Sequence, residues 1–453
     1  MTSPKERELS RRALFHGTLA LTAASLVPRS SGARGRTSVG GRATFHIPWP
    51  LNAIDPHRLD DGACAILNDA LFDTLYGKDE RGGFVPILAE GEPEAVGAEL
   101  RVNVRVNLKS ARGRAMDARD AAASIARARA NGARAWLAEV PAPRVAGQSL
   151  FFQMRDAPKL VRALASPMVA VVPIGFTPTW PDGTGPFRAE RRADGLLLQR
   201  NANAARGPAF LDEVFVRPSA DLGESLRAFE TGADDIGWLG LGLHAQRPFA
   251  LPFDAGHVAW AVLLTGRDAA DWDAPGVAQR VANELPPSRL SYLGLGAPWT
   301  PEPAAGWGGP PCTIIVRDDA PWLIELARVV AAIITRPAHE VVAKPVSAAE
   351  VAQRRGTRSF PLAIDVVRPI AHGALGALVA LSSAENPAVA DDIVKHPPRL
   401  GEVNARTLTR SLRLGVLGEI RVQGGRVPDL NLVPSVSGFG IDYGASTRAR
   451  HGG

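Results

Sequence analysis

Cysteine is almost missing from this chain. Cys64 and Cys312 are the only two in 453 residues, far apart and in no CxxC pair. They suit two small buried residues, with one long-range disulfide as the alternative in an oxidising compartment. Lysine is scarce too: six of the 52 basic residues, the rest arginine. Arginine and alanine are abundant throughout, so the net charge of +6 reflects general composition. Aromatics make up 6% and are not interleaved with basic clusters, so nucleic-acid binding is not expected. There is no GxGxxG, P-loop, HExxH or GxSxG. Nine histidines are scattered, and of these only His46 and His57 stand near enough in sequence to suggest a metal pair. The pairs Asp60–Asp61 and Asp234–Asp235 read as solvated loops or caps. No nucleophile is set beside a base, so neither an enzyme nor a cofactor is expected.

Long apolar runs are absent except at the start. Arg11 and Arg12 precede the run Ala13–Val27, and small residues follow to Ala33. This is the order of an export signal, and "SRRALF" is of the twin-arginine type. Residues 1–33 are therefore expected to address the chain to the twin-arginine machinery and a periplasmic or extracytoplasmic location, membrane-tethered if uncleaved. Residues 34–42 read as a linker.

The body is 45% hydrophobic and 22% charged, long enough for two or three cores. Period-two alternation predicts strands at 43–49, 98–109, 196–201, 212–218, 313–319, 360–367 and 419–423. Helical spacing predicts helices at 62–76, 116–130, 221–232, 320–334 and 405–415, with an aspartate positioned to cap the second. This mixture without a repeat means α/β or α+β with more than one lobe.

Several blocks, in order, resemble one family. "AIDPHRLDDGACAILNDALFDTLY" with "VPILAE" is similar to the opening of extracytoplasmic solute-binding proteins of family 5, the oligopeptide, dipeptide and nickel-type receptors of ABC importers. Gly113, Ala118, Asp120, Ser124 and Arg127 fall in register with the next block. "DGTGPFRAE" (182–190) resembles the family's GTGP crossover, and "FPLAIDVVRP" its strand exit, with Val366 in place of the usual tyrosine. The resemblance implies an α/β, periplasmic-binding-protein-like fold of the class II, cluster C type: two lobes around a cleft plus an inserted domain. Lobe I would comprise 43–60, 180–245 and 410–440, the inserted domain 61–179, and the other lobe 250–405, with 441–453 a flexible tail. Gly183, Thr184, Gly185 and Pro186 would form the crossover or hinge, where glycine dihedrals and proline stiffness suit a buried turn. The ligand would be a peptide or similar solute, or alternatively a metal chelate or other non-peptide solute, passed by a monomer to a membrane permease; an exported cofactor enzyme is the less favoured alternative. Asp365 would meet the ligand's ammonium, with Ala363, Asp60 and Gly62 lining the site. Arg368, standing where the family often has an acid, is expected to hold a ligand carboxylate.

Overall fold

Two long antiparallel strands, Leu251–Thr265 and Leu414–Arg426, lie side by side at the centre of the large sheet. The first carries "HVAWAVLLT", apolar on both faces and buried from Val258 onward. The computed structural model describes residues 39–238, 247–291, 293–296, 306–398 and 409–449. Arg11 and Arg12 lie outside them. Among the described residues, eleven strands form this one sheet. On one flank Leu251–Thr265 pairs with Leu362–Val367, then Cys312–Arg317 and Val341–Val346 follow in parallel. On the other, Leu414–Arg426 pairs with Ile236–Trp238. Arg42–Ile47 and Glu213–Pro218 continue in parallel, and the hairpin Gly195–Arg200 with Phe187–Arg192 closes that edge. Leu295–Gly296 adds a short branch on Leu414–Arg426. Register shifts at Asp254/His257, His257/Ala259 and Ala261/Val262 bend the central pair.

Residues 61–179 carry a separate four-stranded antiparallel sheet, ordered Glu94–Val96, Glu99–Asn103, Ser149–Phe152, Arg144–Ala146. Helix Ala118–Ala130 begins with a reciprocal capping box between Asp117 and Asp120. The alternating stretch 98–109 leaves the sheet after Asn103. Asn107 takes a left-handed φ of 61°, and Arg105 turns inward to donate to the Ile87 and Ala205 carbonyls.

The structure departs further from the sequence expectations: the predicted helix 62–76 ends at Leu71, and Tyr76 already starts a short strand. In the predicted helix 405–415, residues 405–408 lie outside the described region. Thr409–Ser411 is one 3-10 turn, and Leu414 already starts a strand. Leu412 and all of Leu414–Gly418 are buried, as in a strand covered on both faces, and the Gln279 side chain accepts from the Val416 amide at 2.9 Å. The expected flexible tail is a strand over Ile441–Arg448, paired with Leu430–Pro434. Tyr443 is buried there, stacked on Phe45 at 6.2 Å. Cys64 and Cys312 are free thiols.

The GTGP segment is a buried turn against the end of helix Gly62–Leu71. The Gly185 amide donates to the Leu71 carbonyl at 3.1 Å. Thr184 Oγ1 donates to Asp73 at 2.8 Å, and Asn201 Nδ2 donates to the Gly185 carbonyl at 2.8 Å. A Cβ on Gly185 would lie 2.5 Å from the Leu71 carbonyl carbon, and one on Gly183 would lie 2.3 Å from the Leu71 oxygen. Only glycine allows this approach. Gly185→Ala is therefore expected to cost about 3 kcal/mol through backbone overlap, read as a lower urea midpoint with an unchanged m-value.

Candidate functional site

The turn 54–61 joins three distant parts of the chain. Asp55 Oδ1 accepts from the His57 amide at 3.0 Å, and the Asp55 amide donates to Asp61 at 2.7 Å. Asp61 caps the following helix by accepting from the Cys64 amide at 2.8 Å. Arg127, from helix Ala118–Ala130, forms a bidentate pair with Asp55 at 2.7 and 2.6 Å and donates to His57 Nδ1 at 2.6 Å. His57 Nε2 donates to the Ala170 carbonyl at 2.8 Å. Burial pushes the His57 imidazole down to about 4, helped by the Arg127 charge. The ring is thus neutral, accepting at Nδ1 and donating at Nε2. Burial pushes Asp61 up to about 6.

Arg368 reaches the same turn from the opposite side. Its Nη1 faces the carbonyls of Asp55, Pro56 and Arg58 at 3.2–3.3 Å, and Nη2 donates to Asn68 Oδ1 at 3.2 Å. Its amide donates to the Leu59 carbonyl at 2.7 Å. The expectation that Arg368 holds a ligand carboxylate is corrected by this geometry: it is buried and ties the turn to strand Leu362–Val367.

Asp365 is 2% exposed. Arg355 donates to its Oδ2, and the Val366 amide to its Oδ1 at 2.8 Å. Burial raises its pKa against the pull of Arg355, and Asp60 adds to the rise. Its cation partner is therefore supplied by the chain. Ala363 is buried in the sheet, between Leu264 and Ile315. Asp60 and Gly62 line a small cavity of about 110 Å³ with Arg58 and Arg317. Arg58 grips Asp60 at 2.9 and 2.6 Å. Burial disfavours the Asp60 anion, but Arg58, Arg355 and Arg317 outweigh it and hold the pKa at about 2. Gly62 packs under Trp49, whose ring would lie 2.7 Å from an added Cβ. Trp49 in turn meets Trp322 edge-on at 5.0 Å.

His46 and His57 do not meet. His46 pairs with Asp234 at 2.7 Å, so Asp234 is a buried partner rather than a solvated one. Among the described residues no group of three metal-ligating side chains occurs.

The sequence expectations missed the larger space. A cavity of about 510 Å³ lies between the end of helix Gly62–Leu71, other parts of the 61–179 segment, residues 371–376 at the start of helix Ala374–Glu385, and the turn 435–439. Asp69, Asp73, Trp136, Arg162, His372 and Phe439 are on its walls. Arg206 donates to Asp73 at 2.7 Å. Ser435 donates to Asp69, and Ser437 reaches the same carboxylate at 3.4 Å. Burial raises the pKa of Asp69. His372 leans on Phe439, with ring centres 6.0 Å apart. The "PSVSGF" turn carried the usable signal, with two serines and an aromatic around a glycine at φ 79°.

No protein-family model and no curated protein sequence matches this chain. Solved structures do. The oligopeptide-binding protein AppA of Bacillus subtilis, in complex with a nonapeptide, superposes with a TM-score of 0.70. The identity is 14%, over 92% of this chain and 100% of that one. This chain has the fold of a two-lobed solute-binding protein. A dipeptide binding protein from Pseudoalteromonas sp. SM9913, in complex with Met-Leu, shares the fold at TM-score 0.67 and 15% identity, covering 90% of this chain and 100% of its own. NikA from Staphylococcus aureus, in complex with Ni(L-His)2, does so at 0.65 and 15%, again over 90% and 100%. In this solute-binding fold the 510 Å³ cavity is of ligand size; a second space of about 500 Å³ has a different lining that includes Trp49, Asn52, Arg191 and Asp319.

Two predictions follow from the turn. Removing Arg368 leaves several buried acceptors unpaired, so Arg368→Met is expected to cost on the order of 3 kcal/mol, measured by chemical denaturation. For His57, the unfolded chain takes up its proton near pH 6.5 and the folded chain only near 4. Stability from this group is complete above about 6.5 and falls as pH drops toward 4, by on the order of 3 kcal/mol. Asp61, raised from 3.8 to about 6, acts oppositely between those values. The His57 contribution is therefore read as a difference. The melting-temperature gap between wild type and His57→Gln should shrink from pH 7 to pH 4, and a constant gap would refute this assignment.

Proposed function

We propose that this chain is an extracytoplasmic receptor that captures a peptide or peptide-like solute and passes it to an ABC importer. It would bind without turnover. The observation that carries the reading is the 510 Å³ cavity, walled by parts of the chain far apart in sequence, from 68–87 to 371–376 and 435–439. Its volume lies in the range that encloses a small organic ligand. Strands Leu251–Thr265 and Leu414–Arg426 link the two flanks of the large sheet, so their bulged stretch is the natural place for closure to bend.

On this reading the lobes keep the boundaries expected from sequence, except that lobe I continues to the strand ending at Arg448. The GTGP turn supports a wall rather than touching the solute. Asp365 serves the cleft indirectly, as half of a pair with Arg355. Residues 1–33 would act as a twin-arginine signal, and the protein would work as a monomer. Among the described residues no helix is long and apolar enough to cross a membrane.

The test is native mass spectrometry of the full chain, gently purified from an exporting host. Co-purified short peptides or a related solute, released on denaturation, are the expected result. A folded protein that carries nothing and shows no thermal shift with a peptide library would refute the receptor reading.

A further inference from the structure

The polar groups around the 510 Å³ cavity are unevenly satisfied. Each carboxylate and the side-chain amide oxygen have donors. Asp73 takes Arg206 and Thr184. Asp69 takes Ser435 and Asn68, and Asn68 Oδ1 takes Arg368. The Ser166 hydroxyl accepts from the Met168 amide at 3.2 Å and donates to the Ile370 carbonyl at 2.6 Å. Several donors, by contrast, have no acceptor among the described residues. Trp136 is 7% exposed and its buried Nε1–H is unpartnered. Arg162, an exposed side chain, forms no ion pair or hydrogen bond among the described residues. Lys78 only overlies the Phe84 ring at 5.8 Å, and its charge bears on His372 across the wall.

Trp136 and Arg162 also line a neighbouring cavity of about 320 Å³, together with Leu375. The acids there are engaged: Glu139 pairs with Lys159, and Asp156 caps helix Ala157–Leu164. Arg162 thus stands on the wall common to both spaces as an exposed cation with no acid paired to it. The buried Trp136 N–H left without an acceptor is costly, and a ligand that brings the acceptor relieves that cost while placing its charge near Arg162.

We propose that Arg162, with the Trp136 indole N–H beside it on the same wall and Lys78 on the inner wall, is the specificity-determining group for an acidic ligand. The solute is bound through a carboxylate or similar oxyanion, and a free ammonium is dispensable because no open carboxylate awaits it. This rests on the receptor reading and names the ligand chemistry of the same site. An arginine–carboxylate contact here is charge-assisted and geometrically selective.

The test uses the full chain, emptied of bound solute and refolded, and exposed to a peptic casein hydrolysate mixed with a bacterial metabolite extract. One portion is untreated, one is esterified with methanol to mask carboxylates, and one is acetylated to mask amines. Retained solutes are identified by native mass spectrometry. Retention from the untreated and acetylated pools, and loss from the esterified pool, is expected. Arg162→Gln should weaken the retained solute roughly 10- to 100-fold with an unchanged melting temperature, and Arg162→Lys should recover part of it. Equal retention from the esterified pool, or loss on acetylation alone, overturns the proposal while leaving the receptor reading intact. No retention from any pool by folded protein overturns both.

Discussion

The guanidinium of Arg368 lying on the carbonyls of residues 55–58 is the constraint on which the rest of the site depends. A tight turn exposes several carbonyls in one direction, and burying them without donors would be prohibitive. Arg368 supplies the donors from strand Leu362–Val367, and Arg127 supplies charge to Asp55 from the 61–179 segment. Residues separated by 313 and 72 positions are thereby fixed to one turn. The helix that Asp61 caps then projects Asn68 and Asp69 into the cavity wall.

That arrangement stands between two cavities, since Asp55 lines the smaller and Asn68 the larger. On one side of Arg368 the charges are mutually satisfied around the 110 Å³ cavity: Arg58 with Asp60, Arg355 with Asp365, Arg317 with Asp319. On the other side the space is larger, more aromatic and short of acceptors. Mutually satisfied charge favours closure over recognition, since a solute would have to displace an existing ion pair. The unsatisfied side is where a ligand adds something that the chain lacks.

Much of the fold was legible. The capping aspartate before helix Ala118–Ala130, the apolar strand Leu362–Val367 and the glycines of GTGP each express a local rule, and each is where the rule places it. Strand Ile441–Arg448 is hard to read because Gly444, Ala445 and Ser446 interrupt a pattern in which only Ile441, Tyr443 and Ser446 are buried. The stretch before Leu414 reads as helical because Arg406, Arg410 and Arg413 recur at helical spacing. The site was less legible than the fold. Nothing local to Arg368 or Asp365 reveals that the partner is a carbonyl turn or a neighbouring arginine. Such roles are decided by contacts between residues far apart in sequence, here Arg368 with 55–58.

Strand Leu414–Arg426 comes late in the chain and yet sits between the two flanks of the large sheet. Until it is made, Leu251–Thr265 and Ile236–Trp238 each present an open edge where this strand belongs. Assembly of the sheet must therefore wait until residue 426 has left the ribosome. A nascent or truncated chain would hold two unfinished half-sheets, sticky along the same seam, and would need a chaperone or rapid completion to avoid pairing with its neighbours.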